Sequence, residues 1–203
     1  MVSRQSVIRF YLTAALLLAA LASSAGAAVY TFAFGTPDAN PTTHSATVAV
    51  YLHETSTDGT SPLTDDGGLY SFGLTASISS GPGMIGGITV STAFDESNTP
   101  TPTYPSATAQ VWSQQNLNFL LGPTPDAAGN VLLATVNLSQ LTDDTTLKVS
   151  DYGPNSQTID YAGAIIDPSD SATVLVAVPE PSTATFALIA GGLAALRRPR
   201  HRD

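Results

Sequence analysis

Cysteine is absent from all 203 residues. That excludes disulfide staples and every thiolate chemistry, nucleophilic or metal-binding, so a packed core must hold the fold. Basic residues are almost as scarce. Seven Lys and Arg stand against sixteen Asp and Glu, a formal charge of −9. Six of the seven lie near the ends, as Arg4, Arg9, Arg197, Arg198, Arg200 and Arg202. Between residues 28 and 178 only Lys148 remains against fourteen carboxylates, which leaves that span at −13. Phosphate contacts need Lys or Arg to neutralise them, so nucleic acid is excluded as a partner and anionic lipid is repelled. Also missing are GxSxG, HxH and HExxH, and the body has no Arg to clamp an oxyanion. The three histidines are His44, His53 and His201. The first two are nine apart on what should be one strand and its entry loop, an odd offset that would turn them to opposite faces if both lay in one regular strand. Zinc and nucleophile motifs therefore have no support.

What is present reads as strands. In LYSFGLTASIS, Tyr70, Phe72, Leu74, Ala76 and Ile78 alternate with Ser71, Gly73, Thr75, Ser77 and Ser79. A period of two over ten residues predicts a strand with the first set on a core face. Val48, Val50 and Leu52 repeat the pattern, as do Leu132, Ala134, Val136 and Leu138. Further strands are expected at 29–34, 85–94, 110–121, 145–150 and 172–178, with a short helix as the other reading of 110–121. Between them lie PDANPTT, ETSTDGTSPLTDDGG, DESNTPTPTYPS, GPTPDAAGN, TDD and DYGPNSQT, rich in turn-forming residues. No segment persuades as a helix within the body, and no internal repeat is visible. The prediction is an all-β fold, an antiparallel β-sandwich of about eight or nine strands, since a sheet with one oily face must pack on another. With 43% hydrophobic residues, a body of about 150 residues can build such a core.

Both ends read as processing segments flanking a domain at 28–177. Arg4 and Arg9 precede YLTAALLLAALA and then SSAGAA, the parts of a secretory signal peptide over residues 1–27. Ala25 and Ala27 supply the small residues at the cut, so signal peptidase is an expected partner. At the other end VPEPS (Val178, Pro179, Glu180, Pro181, Ser182) precedes fourteen mainly apolar residues, 183–196, and then Arg197 and Arg198. As a helix that run is about 21 Å long, short of the ~20 residues that span a bilayer stably. The arginines would hold its far end in the cytoplasm.

Three chemistries remain to be placed. Asp58, Asp65 and Asp66 share one long loop and offer the hard oxygen ligands that a structural Ca²⁺ takes, although no DxDxDG ladder is present. No other cofactor is expected. Trp112 and Tyr104 offer aromatic faces for stacking on a sugar, while the ordinary expectation for a lone Trp is the core. Asn137-Leu138-Ser139 is a formal glycosylation sequon, but it falls on a predicted strand.

Two resemblances extend this reading. GGLYSFGLTASIS (67–79) and GNVLLATVNLS (129–139) resemble strands of the cohesin-type or carbohydrate-module sandwich, which implies a jelly-roll of nine strands. No partner-reading residues carry across, so dockerin binding is not implied. The ending, residues 178–203, closely resembles the PEP-CTERM sorting domain processed by exosortase, with Pro179, Glu180 and Pro181 on the motif and Arg197 and Arg198 on its basic stop. That resemblance implies transient insertion of the C-terminal hydrophobic helix in the inner membrane and cleavage near the motif. Delivery to the cell surface or an exopolysaccharide matrix follows. Together these point to a non-enzymatic surface or matrix protein. A carbohydrate-binding module for extracellular polysaccharide is the alternative, and a glycoside hydrolase using paired carboxylates a third reading.

Overall fold

The computed structural model describes residues 28–56, 59–95, 103–115, 121–152, 158–160, 162–168 and 171–178. The expected signal helix and C-terminal hydrophobic helix lie outside them. Along the chain the elements are β1 (Val29–Phe34), β2 (Asp38–Asn40), β3 (Ser45–Thr55), α1 (Pro62–Asp65), β4 (Leu69–Ser80), β5 (Met84–Val90) and β6 (Phe94–Asp95). There follow β7 (Thr108–Gln115), β8 (Asn130–Ser139), β9 (Thr145–Asp151), β10 (Ile159–Asp160) and β11 (Ala172–Val176). Eight of these strands have five residues or more; β2, β6 and β10 are short additions that the periodicity could not register. Among the described residues no helix is long and apolar enough to cross a membrane.

Two antiparallel sheets face each other. One runs β1-β3-β8-β5 with β2 also on β3; the other runs β11-β9-β4-β7-β6 with β10 also on β4. Period-two alternation explains the pairing of faces. In β3, Ala46, Val48, Val50 and Leu52 are all buried, and the strand delivers them to one side. Opposite them stand Phe72, Leu74 and Ala76 of β4, Val111 of β7, and Leu147 and Val149 of β9, each with 0% exposure. Phe72 meets Phe94 edge to face, with ring centroids 4.7 Å apart. The lead-in to β7 stitches the sheets together: Ile85 and Ser106 exchange two backbone bonds, of 2.8 and 3.0 Å.

Three local outcomes differ from the periodic reading. In β8 the register on β3 slips, so that Val50 pairs with Ala134 and Tyr51 with Leu132, leaving Leu133 as the extra residue of a bulge. The bulge exchanges faces: Leu133 is fully buried while Leu132 is 40% exposed. In β4, Tyr70 of the predicted inward set is exposed, while Ser71 and Gly73 are buried because the start of the strand is also covered from outside. There β10 pairs with it, and the Gly73 N–H faces Thr158 Oγ1 at 3.5 Å. The third is α1, one turn in the loop expected to be irregular. Ser61 caps it, accepting from the Thr64 N–H at 3.2 Å, and Pro62 opens it. The segment 110–121 is a strand through Gln115, and 116–120 lie outside the described residues.

Candidate functional site

The antiparallel registers sort the loops between two ends. One end carries α1, the 121–129 loop and the start of β1; the other carries the turns before β3, between β4 and β5, and between β8 and β9, with the end of β11. His44, in the turn before β3, and His53, near its end, thereby separate. The His44 ring lies 3.1 Å from the Leu141 carbonyl at the β11 end, and His53 lies 3.0 Å from Asn130 Oδ1 at the α1 end.

The α1 end is organised by a carboxylate that the motif search passed over. Strand alternation in β3 puts Glu54 in series with Val48, Val50 and Leu52, on the inward face, and it is 7% exposed. A buried carboxylate needs compensating donors. Glu54 Oε1 accepts from the Tyr30 hydroxyl and the Leu63 N–H, both at 3.0 Å, and Oε2 accepts from the Ser61 hydroxyl at 2.5 Å. One side chain thus ties β1 to the first turn of α1. Burial, the bond to Glu54 and the negative charges of Glu54, Asp160 and Asp66 all favour the neutral phenol and push the Tyr30 pKa far up. The second buried carboxylate, Asp160, accepts from the Ala164 N–H at 2.8 Å and closes the loop after β10. Both carboxylates are engaged by bonds that hold the fold. The signal for Glu54 was present in SATVAVYLHET, as the fifth inward position of an otherwise apolar series.

Of the loop carboxylates offered for Ca²⁺, Asp65 and Asp66 are exposed at the end of α1, and Asp58 lies outside the described residues. Among the described residues no group of three His, Cys, Asp or Glu is placed to hold a metal ion.

The two aromatic candidates are not brought together. Trp112 stands directly opposite Gly73 in the β4–β7 register, on the outer face of the six-stranded sheet, while its neighbours Val111 and Ser113 point into the core. Trp112 is therefore not the core residue a lone Trp is expected to be. It is half-buried, and its indole N–H is enclosed without an acceptor. Gln110 beside it donates to Thr75 Oγ1 at 3.2 Å. Tyr104 instead packs against the core, hydrogen-bonded to the Ile88 backbone, and burial raises its pKa. Asn137 projects from β8 toward Thr89 of β5, its amide 3.4 Å from the hydroxyl, within a paired strand.

The motif residues 179–182, the basic stop at Arg197 and Arg198, and the cleavage residues Ala25 and Ala27 lie outside the described residues; Val178 does not. Val178 packs against the core, and its N–H donates to Asp144 Oδ1 at 2.9 Å.

The class defined by this architecture is the two-sheet antiparallel β-sandwich. No family model and no curated protein matches the chain. Among solved structures it is similar to a cohesin module of a family 33 glycoside hydrolase from Clostridium perfringens, at 9% identity and a TM-score of 0.48, covering 74% of this chain and 97% of that one. It is also similar to the cohesin CaCohA2 from Clostridium acetobutylicum, at 14% identity and a TM-score of 0.46, covering 75% and 94%. A third is a type I cohesin from Clostridium thermocellum, solved with a dockerin, at 11% identity and a TM-score of 0.44, covering 72% and 97%.

Proposed function

We propose that the chain is an exported, non-enzymatic β-sandwich of the bacterial cell surface or extracellular matrix. Signal peptidase removes residues 1–27, and exosortase then acts at Val178–Ser182 after transient insertion of the apolar run in the inner membrane. The observation that carries this is the ending itself. PEPS, fourteen mainly apolar residues and Arg197-Arg198 follow directly on Val178, the last of the described residues, which packs against the sandwich core. The body delivered this way carries −13, which suits a hydrated polysaccharide layer and disfavours self-association. Intact-mass spectrometry of the native protein tests the sorting step. A mature chain ending near the motif is expected; one that still carries Arg197 to Asp203 sinks the reading.

The second reading, a module for neutral extracellular polysaccharide, draws on one observation. Trp112 lies outside the core on a face lined by Gln110 and Thr75. Saturable binding on a glycan array, lost in Trp112→Ala, would establish it. Binding unaffected by that substitution would remove Trp112 from the account.

A further inference from the structure

The bulge that buries Leu133 also turns Leu132 outward, to 40% exposure on the outer face of the five-stranded sheet. On that face Leu132 stands opposite Tyr51, and Tyr51 opposite Ala33, in one row over three paired strands. The half-buried Tyr51 ring lies along the sheet. A methyl group on Gly35 would come within 3.6 Å of its Cε2 and 3.8 Å of its hydroxyl, so the ring reaches over to that glycine. Gly35 is itself fixed in place, its N–H donating to the Ala49 carbonyl at 3.0 Å. With no side chain on Gly35 and a single methyl on Ala33 and on Ala49, the floor around the ring is low.

Polar groups flank this row on both sides. On one side His53 Nδ1 lies 3.0 Å from Asn130 Oδ1. An amide oxygen only accepts, so Nδ1 carries the proton, and Nε2 of the neutral ring is an acceptor. The Asn130 amide nitrogen offers donors beside it. On the other side stands Thr135, paired with Ala49. The outward positions of β1, β3 and β8 hold no Lys, Arg, Asp or Glu. The carboxylate that β2 adds, Asp38, sits beside Thr47, toward the other end of β3 from His53.

Charge decides which partner suits such a face. The body at −13 repels polyanions, anionic bilayers and further copies of itself. A cationic partner finds no carboxylate in these rows. What fits is an uncharged chain with apolar sides and many hydroxyls, and a neutral polysaccharide has both. The C–H side of a sugar ring packs on the aromatic face and on Leu132, while its hydroxyls exchange hydrogen bonds with His53, Asn130 and Thr135. We infer that Tyr51 and Leu132 form the centre of a docking face for neutral polysaccharide on the five-stranded sheet. This site deepens the second reading above but lies across the core from Trp112, so the two can fail separately.

Affinity electrophoresis of the full-length chain in gels holding hydroxyethylcellulose, dextran or galactomannan provides the test, with polygalacturonate as the anionic control. Retardation by at least one neutral polymer, and none by polygalacturonate, is expected. Tyr51→Ala should weaken that binding about three- to tenfold, the loss of one stacked ring. Leu132→Asp, at an exposed position, should weaken it at least as much by placing a charge in the row. Binding that survives both substitutions overturns this face, and its loss in Trp112→Ala would then leave the second reading standing. Retardation by none of the neutral polymers, or by polygalacturonate alone, overturns both. Should circular dichroism show Tyr51→Ala unfolded, Leu132→Asp decides by itself. Sedimentation velocity checks the other occupant: a wild-type dimer that Leu132→Asp dissociates would make the row a self-contact and overturn the proposal.

Discussion

Glu54 shows how one residue can fix the position of a loop. Its two oxygens receive three donors from β1, the cap of α1 and the first turn of α1. Removing the carboxylate strands those donors in a buried site, and each unsatisfied group costs about 1–3 kcal/mol. Glu54→Ala is therefore expected to destabilise by roughly 2–4 kcal/mol, and Glu54→Gln by less, as read by urea unfolding. An Ala variant within 0.5 kcal/mol of wild type would show that the network contributes nothing net. Tyr30 adds a pH dependence. Its pKa is raised in the folded state, so the stability it contributes is fully present below the unfolded tyrosine value of about 10 and is lost as pH rises above it. Melting temperature followed from pH 8 to 11.5 should fall more steeply in wild type than in Tyr30→Phe. Parallel curves would refute the coupling.

At the scale of elements, the bulge in β8 decides which leucine belongs to the core. Leu133→Ala removes a side chain with 0% exposure and is expected to cost about 2–5 kcal/mol. Leu132→Ala, at an exposed position, should stay within about 0.5 kcal/mol. Simple alternation predicts the reverse order, so thermal or urea unfolding of the two variants discriminates directly. Much of the element structure was legible in residue order. β3 and most of β4 follow their alternation, and turn-rich segments bound nearly every strand. The bulge was not, because one inserted residue changes no local propensity and shows only when partner strands are aligned. α1 carried its own signals, Ser61 and Pro62, but a single turn makes too little periodicity to register. Trp112 was misplaced for a related reason. Its bulk argues for burial, while its parity with Val111 and Ser113, visible once β7 is paired, sends it outward.

For the molecule as a whole, β11 is an edge strand whose Val176 reaches the core with 0% exposure. A chain spanning 28–178 should unfold in one cooperative transition, indifferent to reducing agent since no cysteine is present. Ending it at residue 171 removes β11 and Val178, leaving β9 unpaired on one side. That form is expected to lose at least half the stability or the cooperativity, as measured by calorimetry. An unchanged transition would mean that β11 belongs to the tail and not to the sandwich. Sequence alone determined the class of fold and the acidity of the body, because alternation and charge are written in residue order. Tertiary structure alone decided that Leu133 is inside and Trp112 outside, that Glu54 anchors α1, and that Asp144 meets Val178. Each of those depends on residues distant in the chain arriving at one place, and local sequence carries no record of register or approach.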